Sequence, residues 1–316
     1  MMSFFYTYQS LFDHILVNSM LAMSQYVVLR AGVFSLGSAG FAALGAYCTA
    51  ILITAAGWPP VAAVAAGALL GTAAGALLAL PLARLRGVFQ AVATLAFVQI
   101  VLSATENWES LTHGALGIND IPHVAGTGTL FVIVVVLVLV LVAMGRFSLG
   151  RAMDVIREDE TVAVSLGIHV PRYQRFAFIL SGALAGLAGG LHATSSYAIT
   201  PNDYGFGLLV AALAMVVLGG RTTVWGALVG AVVLVSLPEL FRVFAAYRNV
   251  VQGVLLMVVI IYLPRGVADT FIATMRDRRL RRAAARALAE TSTPPEPPSI
   301  PKPGLPVSGN QAGVRP

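Results

Sequence analysis

Nine stretches of this 316-residue chain run almost free of charge, near residues 11–29, 31–56, 61–83, 87–105, 129–145, 175–199, 204–220, 223–241 and 247–263. A hydrocarbon layer about 30 Å thick is crossed by about 20 apolar residues of helix, and within it every backbone polar group must be bonded inside the segment. The runs therefore exclude a soluble domain. They predict an all-α polytopic membrane protein with about nine transmembrane helices, eight to ten if some are half-helices. Only 11% of the side chains are charged, against about 25% in an ordinary soluble domain. Some spans should be discontinuous. The run 31–56 is too long for one crossing and carries Gly32, Gly37, Gly40 and Gly45 with Ser35 and Ser38 between them. Such a break is tolerated only where protein or a watery cavity satisfies the freed backbone groups. The runs 204–220 and 247–263 are short and contain Gly205, Gly207 and Gly253.

Arginine sets the expected orientation. With the segment 146–175 in the cytoplasm, sixteen arginines share that side, among them Arg30, Arg84, Arg86, Arg221 and the group from Arg265 to Arg286, against Arg242 and Arg248 opposite. The positive-inside rule selects this arrangement, with the C-terminus cytoplasmic. Met1–Ser10 has no Arg or Lys, so it does not read as a signal peptide and the first run is expected to remain as a helix. Three parts follow: a transmembrane domain over 1–265, with the inward loop 146–175; a basic juxtamembrane segment, 266–286, suited to anionic lipid; and a disordered proline-rich tail, 287–316. Glu239 and Arg242 read as a pair at the outer interface. The arginines sit at span ends, which explains the net charge of +6 without nucleic acid.

Small residues recur every fourth position. Gly67, Gly71 and Gly75 form one ladder, Gly182, Gly186 and Gly190 another, and Gly226 with Gly230 a third pair. Such spacing lets helix backbones approach closely in lipid, so these are read as helix-packing positions. Uncharged polar groups inside the runs, Ser35, Ser38, Thr94 and Gln99 with Gly37 beside them, are candidates for a translocation path. A conduit should offer weak hydrogen bonds that release cargo. The competing reading is that Ser and Thr bond their own helix backbone.

The chain lacks an engine. Its sole lysine, Lys302, lies in the tail, so no phosphate-binding Gly-Lys-Ser/Thr loop exists and no cofactor is expected in this chain. Its fourteen acidic residues fall nearly all in loops or tails, which weighs against ion-coupled transport, where a carboxylate within the membrane usually binds the ion. Five scattered histidines and a lone Cys48 give no metal set or catalytic pair, so no enzyme is expected. The inward loop offers another energy input. Gly150–Gly167 reads as one amphipathic helix, with Ala152, Val155, Ile156, Val162, Ala163 and Leu166 on one side and Arg151, Asp154, Arg157, Glu158 and Glu160 on the others. Asp159 interrupts the apolar side. Gly167 supplies a left-handed stop and Pro171 bars continuation. This spacing describes a helix able to dock against a cytoplasmic partner.

The stretch RAMDVIREDETVAVSLGIHVPRYQRFAFILSGALAGLAGGL, from Arg151 to Leu191, resembles the LivM-type permeases of bacterial ABC importers for branched-chain amino acids. So do SLGSAGFAALGAY from Ser35, LRGVFQAVATLAF from Leu85 and LGGRTTVWGALVGA from Leu218. The resemblance spans about residues 20–265. It implies that the inward helix is a coupling element, with Arg151, Ile156, Arg157, Glu158, Asp159 and Gly167 meeting an ATP-binding subunit. It also implies a bacterial inner-membrane assembly with a second related permease chain and two ATP-binding subunits that hold the ATP. A periplasmic or extracellular solute-binding protein would deliver the cargo, and Glu106, Asn107, Trp108 and Glu109 are candidates to meet it. Ser38 stands where the family often has histidine, His113 where glycine is usual, and Val164, Ser165 and His169 also depart. These departures bear on cargo, leaving urea, short amides or aromatic acids as alternatives. A different class, a channel working without ATP, also stays open.

Overall fold

The computed structural model describes residues 2–82, 84–240 and 257. The expected span 247–263, the Glu239–Arg242 pair, the basic segment and the proline-rich tail lie outside the described residues. What is described is helical: α1 Met2–Arg30, α2 Ser38–Thr54, α3 Pro60–Leu82, α4 Val88–Asn107, the short α5 Glu109–Thr112, and α6 Thr127–Arg146. Then come α7 Ser148–Glu158, α8 Glu160–Ser165, α9 Val170–Ser195, α10 Phe206–Gly219 and α11 Val224–Leu240. Among the described residues the single β-bridge joins Ile118 to Ile199 and ties two loops at one end of the bundle.

Five helical segments are long and apolar enough to cross a membrane: Pro60–Leu82, Val88–Asn107, Thr127–Arg146, Val170–Ser195 and Pro201–Gly219. Ser38–Thr54 and Val224–Ser236 are shorter apolar helices. Among the described residues there are thus five full-length apolar spans and two shorter ones, which support a multi-pass protein without establishing the expected count of about nine. The run 31–56 is indeed not one helix. Gly32 takes a left-handed φ of 74°, which most side chains resist, and the chain stays non-helical until Ser38. Helix α2 is correspondingly short.

The centre of the bundle is α9, packed against α1, α2 and α3. Glycine makes this possible. A Cβ added at Gly71 would collide with the Gly182 carbonyl and lie 2.9 Å from the Gly186 Cα. At Gly75 it would lie 2.5 Å from the Phe178 carbonyl oxygen, and at Gly67 2.6 Å from that of Gly45. Gly45 in turn faces the Gly186 backbone, and a Cβ at Gly190 would lie 2.7 Å from the Thr49 hydroxyl oxygen. The two ladders thus face each other across α3 and α9, with α2 in the third corner. Gly219, Gly226 and Gly230 join α10 to α11 in the same way. Contacts this close replace hydrophobic drive with dispersion, which is what association in lipid requires.

Candidate functional site

Two features hold most of the path and coupling residues singled out above: the non-helical segment 31–37 and the helix pair α7–α8. Segment 31–37 carries backbone groups that no helix satisfies, and polar side chains supply their partners. The Gln25 amide donates to the Ser35 carbonyl at 2.7 Å and accepts from the Ser38 hydroxyl at 3.0 Å. The Leu36 N–H donates to the Thr94 hydroxyl at 2.9 Å, and the Gly37 N–H to the Ser35 hydroxyl at 3.2 Å. Thr94 also donates toward the carbonyls of Gln90 and Ala91, both at 2.9 Å, while the Gln90 amide reaches the Leu82 carbonyl at 3.2 Å. Ser35, Ser38, Thr94, Gln25 and Gln90 are all buried. Thr94 lies six residues into α4, about 9 Å along its axis, so the cluster reaches into the apolar layer.

Four of the five path candidates, Ser35, Gly37, Ser38 and Thr94, are therefore brought together. Gln99 is not: it lies on the exposed face of α4. The backbone supplies the reason, since residues five apart on a helix point in different directions. Gln25 and Gln90 were missed by sequence reasoning, although the same signal, an uncharged polar residue near an apolar run, marks both.

The segment 148–165 departs from a single helix. Asp159 is not an intruder on an apolar face but the N-cap of α8, its carboxylate accepting from the N–H groups of Thr161 at 2.7 Å and Val162 at 3.1 Å. Those two bonds hold the Asp159 carboxyl below its usual pKa range. The break rotates α8 relative to α7, so the expected apolar side splits. Ala152, Ile156 and Ala163 are buried together with Met153, while Val162 and Leu166 are exposed. Gly167 adopts φ 78°, and Pro171 stands in the first turn of α9, which begins at Val170.

Charges on α7 are mostly engaged. Asp154, expected on a solvent face, accepts two hydrogen bonds from Arg30 at 2.8 and 2.7 Å. Arg157 reaches Asp154 at 3.8 Å, Glu158 at 3.1 Å and the Arg221 carbonyl at 3.3 Å. Arg151 is exposed and donates to the Arg146 carbonyl at 3.0 Å. Also open to solvent in this segment are Glu158 and the apolar side chains of Phe147, Val162, Val164 and Leu166, the last 66% exposed.

Elsewhere in the bundle, α1, α2, α9 and α10 enclose a cavity of about 190 Å³ lined by His14, Asn18, His192, Asp203 and Tyr204 among apolar side chains. His192 Nδ1 and the Tyr204 hydroxyl are 2.9 Å apart. In the neighbouring loop His113 takes a left-handed φ of 58°, the conformation that glycine adopts without strain. Trp108 is exposed beside it. Among the described residues no group of three His, Cys, Asp or Glu side chains is placed to hold a metal.

Residues 11–261 match the family model described as branched-chain amino acid transport system / permease component. The high-affinity branched-chain amino acid transport system permease protein LivM of Escherichia coli (strain K12) is 32% identical over 82% of this chain and 68% of its own length. The LivM protein of Salmonella typhimurium (strain LT2) is 33% identical over 76% of this chain and 65% of its own. This chain thus spans about two thirds of the length of each. The autoinducer 2 import system permease protein LsrC of Klebsiella pneumoniae is 32% identical over 45% of this chain and 40% of its own length. No solved structure matches. A family match over residues 11–261, most of the chain, places this multi-pass membrane protein in the branched-chain amino acid transport system permease family.

Proposed function

We propose that this chain is the membrane permease subunit of an ABC importer that moves branched-chain or related amino acids into the cytoplasm, with ATP hydrolysed by separate subunits. The observation that carries the reading is the open patch on α7–α8. Val162, Val164 and Leu166 are exposed on α8 and Phe147 at the turn into α7, all between two spans, with Arg151 and Glu158 exposed in the same segment. Exposed apolar side chains among charged ones are what a protein partner covers. The chain's lack of any lysine outside its tail supports an engine on another subunit.

In this reading Arg151, Ile156, Arg157, Glu158, Asp159 and Gly167 form the coupling element. Ile156 holds α7 to the membrane domain, and Glu158 with the α8 patch meets the ATP-binding subunit. Ser35, Gly37, Ser38 and Thr94 line the inner part of the path, where movement of 31–37 opens and closes it. The assembly contains a second related permease, two ATP-binding subunits and a solute-binding protein outside. It sits in the bacterial inner membrane with its arginine-rich loops and C-terminus in the cytoplasm, as the positive-inside count supports.

The test is ATPase activity and amino-acid uptake by the complex reconstituted in liposomes. Glu158→Arg and Gly167→Val are expected to lower receptor-stimulated ATPase and uptake together. Unchanged coupling in both variants overturns the docking assignment, and robust flux through the purified chain without ATP replaces the importer by a channel. For cargo, urea, a short amide or an aromatic acid is the second reading. That related permeases differ in cargo is supported by LsrC, named for autoinducer 2 import, which is 32% identical over 45% of this chain. Ligand binding by the partner receptor decides between them.

A further inference from the structure

We infer that Arg30 is a positioning residue through which movement of α7 is transmitted to segment 31–37 and its polar cluster, a role that rests on α7 being part of the docking element. Arg30 is the last residue of α1 and only 6% exposed. Its guanidinium sits in a socket built by the α6–α7 corner. Nε and Nη2 donate to the two oxygens of Asp154 at 2.8 and 2.7 Å, and Nη2 also faces the Gly150 carbonyl at 3.4 Å. A Cβ at Gly145 would lie 2.9 Å from Nη1, so the last turn of α6 leaves room for the head group. The Tyr26 ring stands 6.0 Å away. A forked, two-point bond of this kind fixes orientation as well as distance.

The socket adjoins the break. Ala31 follows Arg30 directly, and a Cβ at Gly32 would lie 3.3 Å from both the Ile156 Cγ2 and the Ile156 carbonyl oxygen. Helix α7 thus grips the end of α1 through Asp154 and meets the start of the break through Ile156. Gln25, which bonds Ser35 and Ser38, stands five residues earlier on the same α1. Pulling Arg30 therefore moves both sides of the polar cluster. Arg157 adds the α10–α11 turn through the Arg221 carbonyl. Arg30 is buried while Asp154 stays 38% exposed, and the pair contributes little net stability compared with apolar packing, since desolvation of Arg30 offsets attraction. Its distinctive contribution here is a stiff, directional link between an exposed helix and a buried non-helical strand of backbone.

Two readouts test this. In the liposome complex, Arg30→Gln is expected to assemble and to keep ATPase activity within about twofold, while amino acid moved per ATP falls about tenfold, a size typical of coupling between sites. Exchanging the charges, Arg30→Asp with Asp154→Arg, is expected to recover much of the loss. In the full chain alone, in nanodiscs, Arg30→Gln is expected to speed amide exchange at 31–37 while α6 amides stay unchanged. Unaltered transport per ATP overturns the proposal. So does an equal loss of ATPase and transport, which would make Arg30 a mere support for docking. Unaltered exchange at 31–37 also overturns it. A wild-type complex that moves no amino acid with ATP defeats the permease reading instead, and the exchange measurement then still decides whether Arg30 holds the break.

Discussion

Helices α6 and α9 invert the rule that governs soluble proteins. The span in α6 has a mean hydropathy of 3.0 and is 22% buried, whereas the less apolar span in α9, at 1.6, is 67% buried. In water the more apolar helix would occupy the centre. In a bilayer the solvent is itself apolar, so Val132, Val136, Leu139 and Val140 of α6 lose nothing by facing it. The interior goes instead to the helix whose backbone can be approached most closely. Gly182, Gly186, Gly189 and Gly190 give α9 that property, and polar pairs such as Ser24 with Ser181, 2.8 Å between hydroxyl oxygens, find partners only inside.

The contrast breaks most visibly if a side chain is added to the seam. Gly71→Leu has no space beside the Gly182 and Gly186 backbones, so a loss of about 3 kcal/mol or more, at the upper end for overpacking, is expected. Val136→Leu on the lipid face of α6 is expected to change stability by less than about 0.5 kcal/mol. Thermal unfolding of the purified chain measures both, and similar losses would refute the packing account. Next in size, Thr94→Ala leaves the half-buried Leu36 N–H without its acceptor, at a cost of about 1–3 kcal/mol. Thr94→Ser should restore most of it, with faster amide exchange at Leu36 marking the alanine variant alone.

Outside the packed spans the effects shrink. His113→Gly removes the strain of a left-handed φ of 58° and is expected to add about 1 kcal/mol, read as a higher unfolding midpoint. Asp159 gives the smallest effect. Its carboxyl is held below the usual range by the Val162 and Thr161 N–H groups, so the cap is fully present above the ordinary value of about 3.9 and is lost as pH falls through the lower folded value. Amide protection at Thr161 and Val162 should stay flat from neutral pH to about pH 4 and then decline. Asp159→Asn should flatten that decline, and an unchanged profile would remove Asp159 as the titrating group.

Much of the architecture was legible because it follows from local rules. The helices α3, α4 and α6 begin and end within a few residues of the expected runs, since apolar length sets them. The interruption after Gly32 was marked by glycine and serine density. Other features were not legible. Asp159 looked misplaced on a helical wheel because one wheel was drawn through what are two helices, and its capping bonds depend on a turn of backbone rather than on periodicity. Gln99 resembled Thr94 as a polar residue in an apolar run, yet one faces out and the other in. The Arg30–Asp154 pair joins residues far apart in the chain, and Arg30 had already been explained as an interfacial topology signal.

By itself, the sequence determined the solvent, the helical class, the small-residue positions able to pack and the absence of a nucleotide-binding loop. All follow from composition and spacing along one strand of chain. Which ladders meet, which polar groups tie the break to α1 and α4, and which charge of α7 turns inward to Arg30 were decided only by the tertiary structure. Close approach and hydrogen bonding are properties of pairs, and the partners of Gly71, Thr94 and Arg30 are set by how the helices cross, a quantity no single helix carries.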